Sequence, residues 1–163
     1  MDIRKIYEYA LQREYEGKRF FETNAARLSH ATAVAAFTRL AAEEQKHIEF
    51  VQAQLNAMAS GKSADVAFGE ELNRSGVFAQ RAAAEFIDET VREAMVPDLP
   101  ILRMAYLIER DFAEFYEQAA EKTEGEVRVV LETLATWERR HEALFKMLHD
   151  QAFDEYTRMP WGG

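Results

Sequence analysis

Cysteine is absent from the chain. That removes disulfides, zinc–thiolate sites, iron–sulfur clusters and thiol nucleophiles. Proline and glycine are scarce, three and seven in 163 residues. So few breakers among abundant Ala, Glu, Leu and Arg predict a mostly helical chain. Long apolar runs are also missing: none approaches the roughly 20 residues that span a bilayer. The opening "MDIRKIYEYALQREYEG" is too charged for a secretory signal. Positive charge is in deficit, 20 basic against 29 acidic side chains, for a formal net charge of -9. This disfavours nucleic acid and anionic membranes as partners. The expected setting is the cytoplasm. The length predicts a single domain over 1–163, with a core large enough to need no staples.

Apolar periodicity predicts four long helices, at about 3–28, 33–59, 101–122 and 127–153. On the first, Ala10, Glu14, Gly17, Phe21 and Leu28 share a stripe. On the second the stripe is Phe37, Leu40, Glu44, His47, Val51 and Leu55. Ser29 or Thr32 is placed to cap the second helix, and Gly61 to close it. A less regular crossover follows, with a shorter helix expected at about 78–95. Pro100 suits the first turn of the third long helix, whose stripe is Leu102, Ala105, Glu109, Phe112 and Tyr116. The tail "YTRMPWGG" reads as non-helical. The predicted fold is all-α: two antiparallel helix hairpins joined by a long crossover, packed as a four-helix bundle.

The two hairpins resemble each other. "ALQREYEGKRFFETNAA" lies over "AYLIERDFAEFYEQAAE", matching Ala10 with Ala105 and Glu14 with Glu109, at an offset of 109 − 14 = 95. In the following helices "LAAEEQKHIEF" lies over "LATWERRHEAL". There Glu44 matches Glu138 and His47 matches His141, at an offset of 138 − 44 = 94. With 22 Glu and four His in the chain, chance places a Glu three residues before a His about half a time. It occurs twice, and both copies fall on the repeat. His30 and His149 have no such acid and read as surface or turn residues.

Residues i and i+3 share a helix face, so Glu44 with His47, and Glu138 with His141, each aim two donors at one point. Glu14 and Glu109 lie on the core stripes of the other two helices. Packed about a pseudo-twofold axis, four carboxylates and two imidazoles converge mid-bundle. Burying such a group unpaired costs at least several kcal/mol per charge. Two divalent cations cancel it: 4 × (−1) + 2 × (+2) = 0. Oxygen-rich ligation with one nitrogen per ion suits iron or manganese better than zinc.

A Glu from each of two helices plus Glu-x-x-His from each of the other two resembles the ligand pattern of the ferritin-like di-iron carboxylate bundles. "ALQREYEGKRFFETNAA" is similar to the first helix of the rubrerythrin branch, where Ala precedes the ligand Glu by four and an aromatic pair follows. The resemblance spans about 3–59 and 98–153. It implies two iron ions held by Glu14, Glu44, His47, Glu109, Glu138 and His141, with Glu44 and Glu138 bridging and Glu14 and Glu109 terminal. It also implies reaction with O2 or H2O2. Rubrerythrins proper carry a further carboxylate one turn after the third-helix Glu, where this chain has Phe112. They also carry a Cys-rich rubredoxin module, so this chain is expected to take electrons from an external donor protein. Tyr116, two turns after Glu109, is the candidate catalytic side chain, placed to hydrogen-bond a ligand carboxylate; its match in the first half is Phe21. Glu43 is placed to orient a ligand His across the bundle, and Trp137 holds the matching position.

The expectation is therefore a rubrerythrin-like di-iron oxidoreductase, forming a homo-oligomer, a dimer in the simplest case. Manganese in place of iron, a ferroxidase feeding iron storage, and a metal-free helical interaction bundle are the rival readings.

Overall fold

A computed structural model of the protein describes residues 2–75 and 89–160. Within them the regular structure is all helical, with no strand. Helix α1 spans Ile3–Ala25, α2 Ala31–Ala59, α3 Val66–Ser75, α4 Glu89–Ala94, α5 Leu99–Glu121 and α6 Gly125–Arg158, with a 3-10 turn at Val96–Asp98 before α5. The expected crossover helix at 78–95 falls mostly outside the described residues; its last part is α4. No helix among the described residues is long and apolar enough to cross a membrane.

Short turns make α1–α2 and α5–α6 into hairpins, and α1 packs on α5. The Tyr9 and Phe115 rings meet edge to face across that second contact, 4.9 Å apart. On the outer side of the second hairpin, Arg139 forks onto Glu117 at 2.8 and 2.7 Å and ties α6 to α5. The helical periodicity of the stripes, together with turns too short to do anything but reverse the chain, explains this arrangement.

Local chemistry moves several boundaries from their expected places. Neither Ser29 nor Thr32 caps α2; His30 does, its Nδ1 accepting the Thr32 N–H at 3.1 Å. The Ser29 N–H is taken instead by the buried Asp98 carboxylate, at 2.9 and 3.1 Å. Gly61 closes α2 as expected. At φ 65° it adopts the left-handed conformation, and Lys62 N–H reaches back to the Ala57 carbonyl at 2.9 Å. The first part of the crossover is more regular than expected: α3 starts where Gln54 clamps Asp65. Gln54 accepts the Asp65 N–H at 2.8 Å and donates to the Asp65 carbonyl at 3.3 Å, and Asp65 caps Phe68 N–H. Helix α6 runs to Arg158 rather than Phe153, so Tyr156, Thr157 and Arg158 of the tail are helical. Ala152 and Glu155 are buried in its last turns, and Arg158 places positive charge at the helix's negative end.

The core is not continuous. Phe21, Phe37, Leu40, Leu102, Leu144, Phe145 and Leu148 form one apolar cluster. Its centre is an aromatic triangle of Phe21, Phe37 and Phe145, with ring centroids 5.2 to 5.4 Å apart. Tyr7, Phe50, Val51, Phe112, Tyr116, Leu131 and Leu134 form a second cluster at the other end. On every long helix the Glu and His residues singled out from the repeat lie between these two clusters.

Asp98 joins the α1–α2 turn to the start of α5, so it holds the two hairpins in register. Replacing it with Ala orphans a partly buried N–H, which costs about 1–3 kcal/mol. Urea unfolding of Asp98→Ala should show that loss. A change below about 0.5 kcal/mol, the range of an ordinary surface substitution, would mean the tie contributes nothing.

Candidate metal centre

Each of the four long helices places its acid in the layer between the clusters. Glu14 from α1, Glu44 from α2, Glu109 from α5 and Glu138 from α6 are all 0% exposed; His47 and His141 are 5% and 4% exposed. The i, i+3 spacing puts each imidazole beside the Glu of its own helix. The two rings then stack across the bundle, centroids 5.2 Å apart and 12° from parallel.

The oxygens divide in two sets around the two imidazoles. Nδ1 of His47 lies 2.9 Å from Glu138 Oε1, 3.2 Å from Glu14 Oε2 and 3.4 Å from Glu44 Oε2. Nδ1 of His141 lies 3.1 Å from Glu44 Oε1, 3.5 Å from Glu138 Oε2 and 3.7 Å from Glu109 Oε2. Glu44 and Glu138 thus each present one oxygen to either imidazole. Glu14 serves only His47, and Glu109 only His141. Donor atoms of Glu44, His47, Glu138 and His141 all lie within 4.8 Å of one another, a spacing that can hold a metal ion.

Hydrogen bonding leaves this layer incomplete. Both oxygens of Glu44, Glu109 and Glu138, and Nδ1 of His141, are buried with no partner among the described residues beyond one another and the two imidazoles. A buried polar atom left unmade costs about 1–3 kcal/mol, and more when charged. Seven such atoms (2 + 2 + 2 + 1) in one buried layer need protons or a cation to hold them together. All are hard oxygen donors plus imidazole, the set preferred by iron and manganese.

The residues around these donors differ between halves. Tyr116 Oη donates to Glu14 Oε1. His141 Nε2 is hydrogen-bonded to Glu43 Oε2 at 2.9 Å, and Trp137 stacks on the His47 ring at 4.8 Å and 15°. One contributor had passed as ordinary stripe. A Cβ on Gly17 would stand 3.0 Å from Phe112 Cε2 and 3.5 Å from Glu44 Oε2, so the bare backbone makes room for both beside the layer. A glycine in a helix interior costs about 1 kcal/mol against alanine, and that cost was the available signal.

Electrostatics describe a cage that is neutral when it holds protons alone. Burial first, then the Glu138 charge, pushes Glu14 and Glu109 well above the usual carboxylate range. Burial acts the same way on Glu44 and Glu138, but the imidazoles outweigh it and hold both below that range. Burial alone would lower the imidazoles; the surrounding carboxylates overcome it and raise His47 and His141 well above their ordinary value. Burial followed by Glu14 raises Tyr116, so its hydroxyl keeps its proton.

A family model described as Rubrerythrin matches residues 5–149. The chain belongs to the rubrerythrin family. No curated protein and no solved structure matches it. The rubrerythrin match covers the whole layer, from Glu14 to His141, and with the buried Glu/His cluster it makes this the candidate metal site of the bundle.

Cations entering the layer must displace its protons, since metals bind deprotonated ligands. The groups raised above their ordinary values, Glu14, Glu109, His47 and His141, are the ones placed to hold those protons. Anaerobic ferrous ion added to metal-free protein should therefore release protons, measurable by calorimetry in buffers of different ionisation enthalpy. The release should shrink, and affinity rise, as pH climbs through the raised imidazole values. Uptake of ferrous ion without proton release at pH 7 would contradict the protonation pattern.

Proposed function

We propose that this rubrerythrin-family protein is a di-iron oxidoreductase that reduces O2 or H2O2 with electrons supplied by a separate donor. The observation that carries the reading is the split of Glu44 and Glu138, each giving one oxygen to each imidazole. Carboxylates arranged so are suited to bridge two ions. One ion would be held by Glu14, Glu44, His47 and Glu138, and the other by Glu44, Glu109, Glu138 and His141. Four carboxylates and two divalent cations sum to zero, which is what a buried layer requires.

When bound, iron supplies the electrons that cleave the O–O bond. The protein's own part is geometric and protic. The two apolar clusters cap the layer at either end and exclude water, which strengthens every charge interaction inside it. Reducing H2O2 to two waters consumes two electrons and two protons. The Tyr116 hydroxyl, hydrogen-bonded to Glu14 Oε1, holds one proton at the edge of the site. The electrons must come from outside these 163 residues, which hold no cysteine with which to bind a rubredoxin-type iron. A homodimer is the proposed assembly. A hollow cage with many irons per chain would indicate storage instead.

Ferrous-loaded protein mixed with H2O2 should oxidise rapidly, with growth of near-ultraviolet absorption. Glu44→Ala and Glu138→Ala should lose both iron binding and that absorption, and the wild type should gain thermal stability on loading. Ligand at 100 times its Kd stabilises by about 2.7 kcal/mol. Wild-type protein that binds only trace metal at neutral pH, with an unchanged Tm, would reduce it to a metal-free bundle. Tyr116→Phe should keep both ions but slow oxidation by peroxide; an unchanged rate would remove the tyrosine from the chemistry.

A further inference from the structure

We propose that the two ion positions are unequal: the one at His141 fills first and binds more tightly, and the one at His47 is the weaker and exchangeable one. This rests on the dinuclear reading above and adds to it a role for Glu43 as a positioning residue. The repeat would by itself make the positions equal, because Glu14 matches Glu109, Glu44 matches Glu138 and His47 matches His141. The inequality comes from what stands behind those ligands.

Two differences between the halves act in one direction. His141 hands its second ring nitrogen to Glu43 at 2.9 Å. An imidazole donating to a carboxylate is fixed in tautomer and orientation and is a more basic ligand through its other nitrogen. At the matching place on the other hairpin stands Trp137, an aromatic with no acceptor, stacked flat on His47. His47 is therefore packed in position with no carboxylate behind it among the described residues.

The terminal carboxylates differ in the same sense. Neither oxygen of Glu109 takes a hydrogen bond from a side chain outside the layer, and Oε2 faces His141 Nδ1 at 3.7 Å. Glu14 has one oxygen engaged by Tyr116 and leaves the other toward His47. A carboxylate that already accepts a phenolic hydrogen bond gives up electron density and one of its two donor atoms. The residue matching Tyr116 beside Glu109 is Phe21, which cannot do this. Glu43, Trp137 and the Tyr116–Phe21 pair thus all favour the His141 position.

The test is a calorimetric titration of metal-free protein with cobalt(II), which stands in for ferrous ion without reacting with oxygen. Wild type should show two binding events separated by about 10- to 100-fold in affinity, the usual effect of a carboxylate behind a ligand imidazole. Glu43→Gln is the mild variant, at a partly accessible side chain. It should weaken the tighter event by about tenfold or more and leave the weaker one unchanged; general structural damage would weaken both. Location is read from single-position variants whose helical content is checked by circular dichroism. His47→Ala should keep the tight event and His141→Ala only the weak one. Two equal affinities in wild type, or loss of the weaker event in Glu43→Gln, overturns the inequality and leaves the dinuclear reading intact. No binding at all overturns both.

Discussion

Four carboxylates buried in one layer are the constraint on which this molecule depends. Glu14, Glu44, Glu109 and Glu138 are each fully covered by protein, and no basic side chain but the two imidazoles faces them among the described residues. A layer of that kind cannot be held by apolar packing around it, because desolvated like charges close together repel. It must carry protons or cations. The structure meets the requirement by dividing its core. Two apolar clusters supply the burial that stabilises the bundle, and the polar layer, the candidate metal site, lies between them.

That division explains details that otherwise look unrelated. Helices of 23 to 34 residues are long enough to pass through one cluster, the layer and the other cluster. Gly17 forgoes a side chain because the layer lies directly against α1. Asp98 and Gln54, both buried, fasten the ends of the crossover to the hairpins, so that the helices meet in a single register. A shift of one residue on any long helix would carry its Glu off the core face.

The internal repeat sets the chemistry of the layer, and its departures set the character of each half. Glu and His recur at matching positions. The residues behind them do not: Glu43 faces Trp137 in the alignment, Tyr116 faces Phe21, and Gly17 faces Phe112. The last pair shows how the asymmetry is accommodated. The Phe112 ring edge occupies the space that the absent Gly17 side chain leaves beside Glu44, so a large residue in one half is offset by a missing one in the other.

Much of this was written in the amino-acid order. Periodicity gave the four long helices, and the short turns forced them into hairpins. The recurrence of Glu-x-x-His at one offset, with a matched Glu in each partner helix, marked the donors without any knowledge of their distances, since i and i+3 must share a face whatever the tertiary fold. The ends of helices were less legible. His30 caps α2 because Asp98, 69 residues away, takes the Ser29 N–H, and α6 continues to Arg158 because Ala152 and Glu155 find cover. Those outcomes depend on contacts distant in sequence. So does the sharing of the site. The chain alone determined which six side chains would converge; only the packing of α2 against α6 decided that Glu44 and Glu138 each face both imidazoles, that Glu43 stands behind His141 and that Trp137 lies on His47. Which Glu and His share a helix face follows from local helical spacing, whereas the division of oxygens between the two imidazoles follows from how far apart the helices sit and which way they are turned.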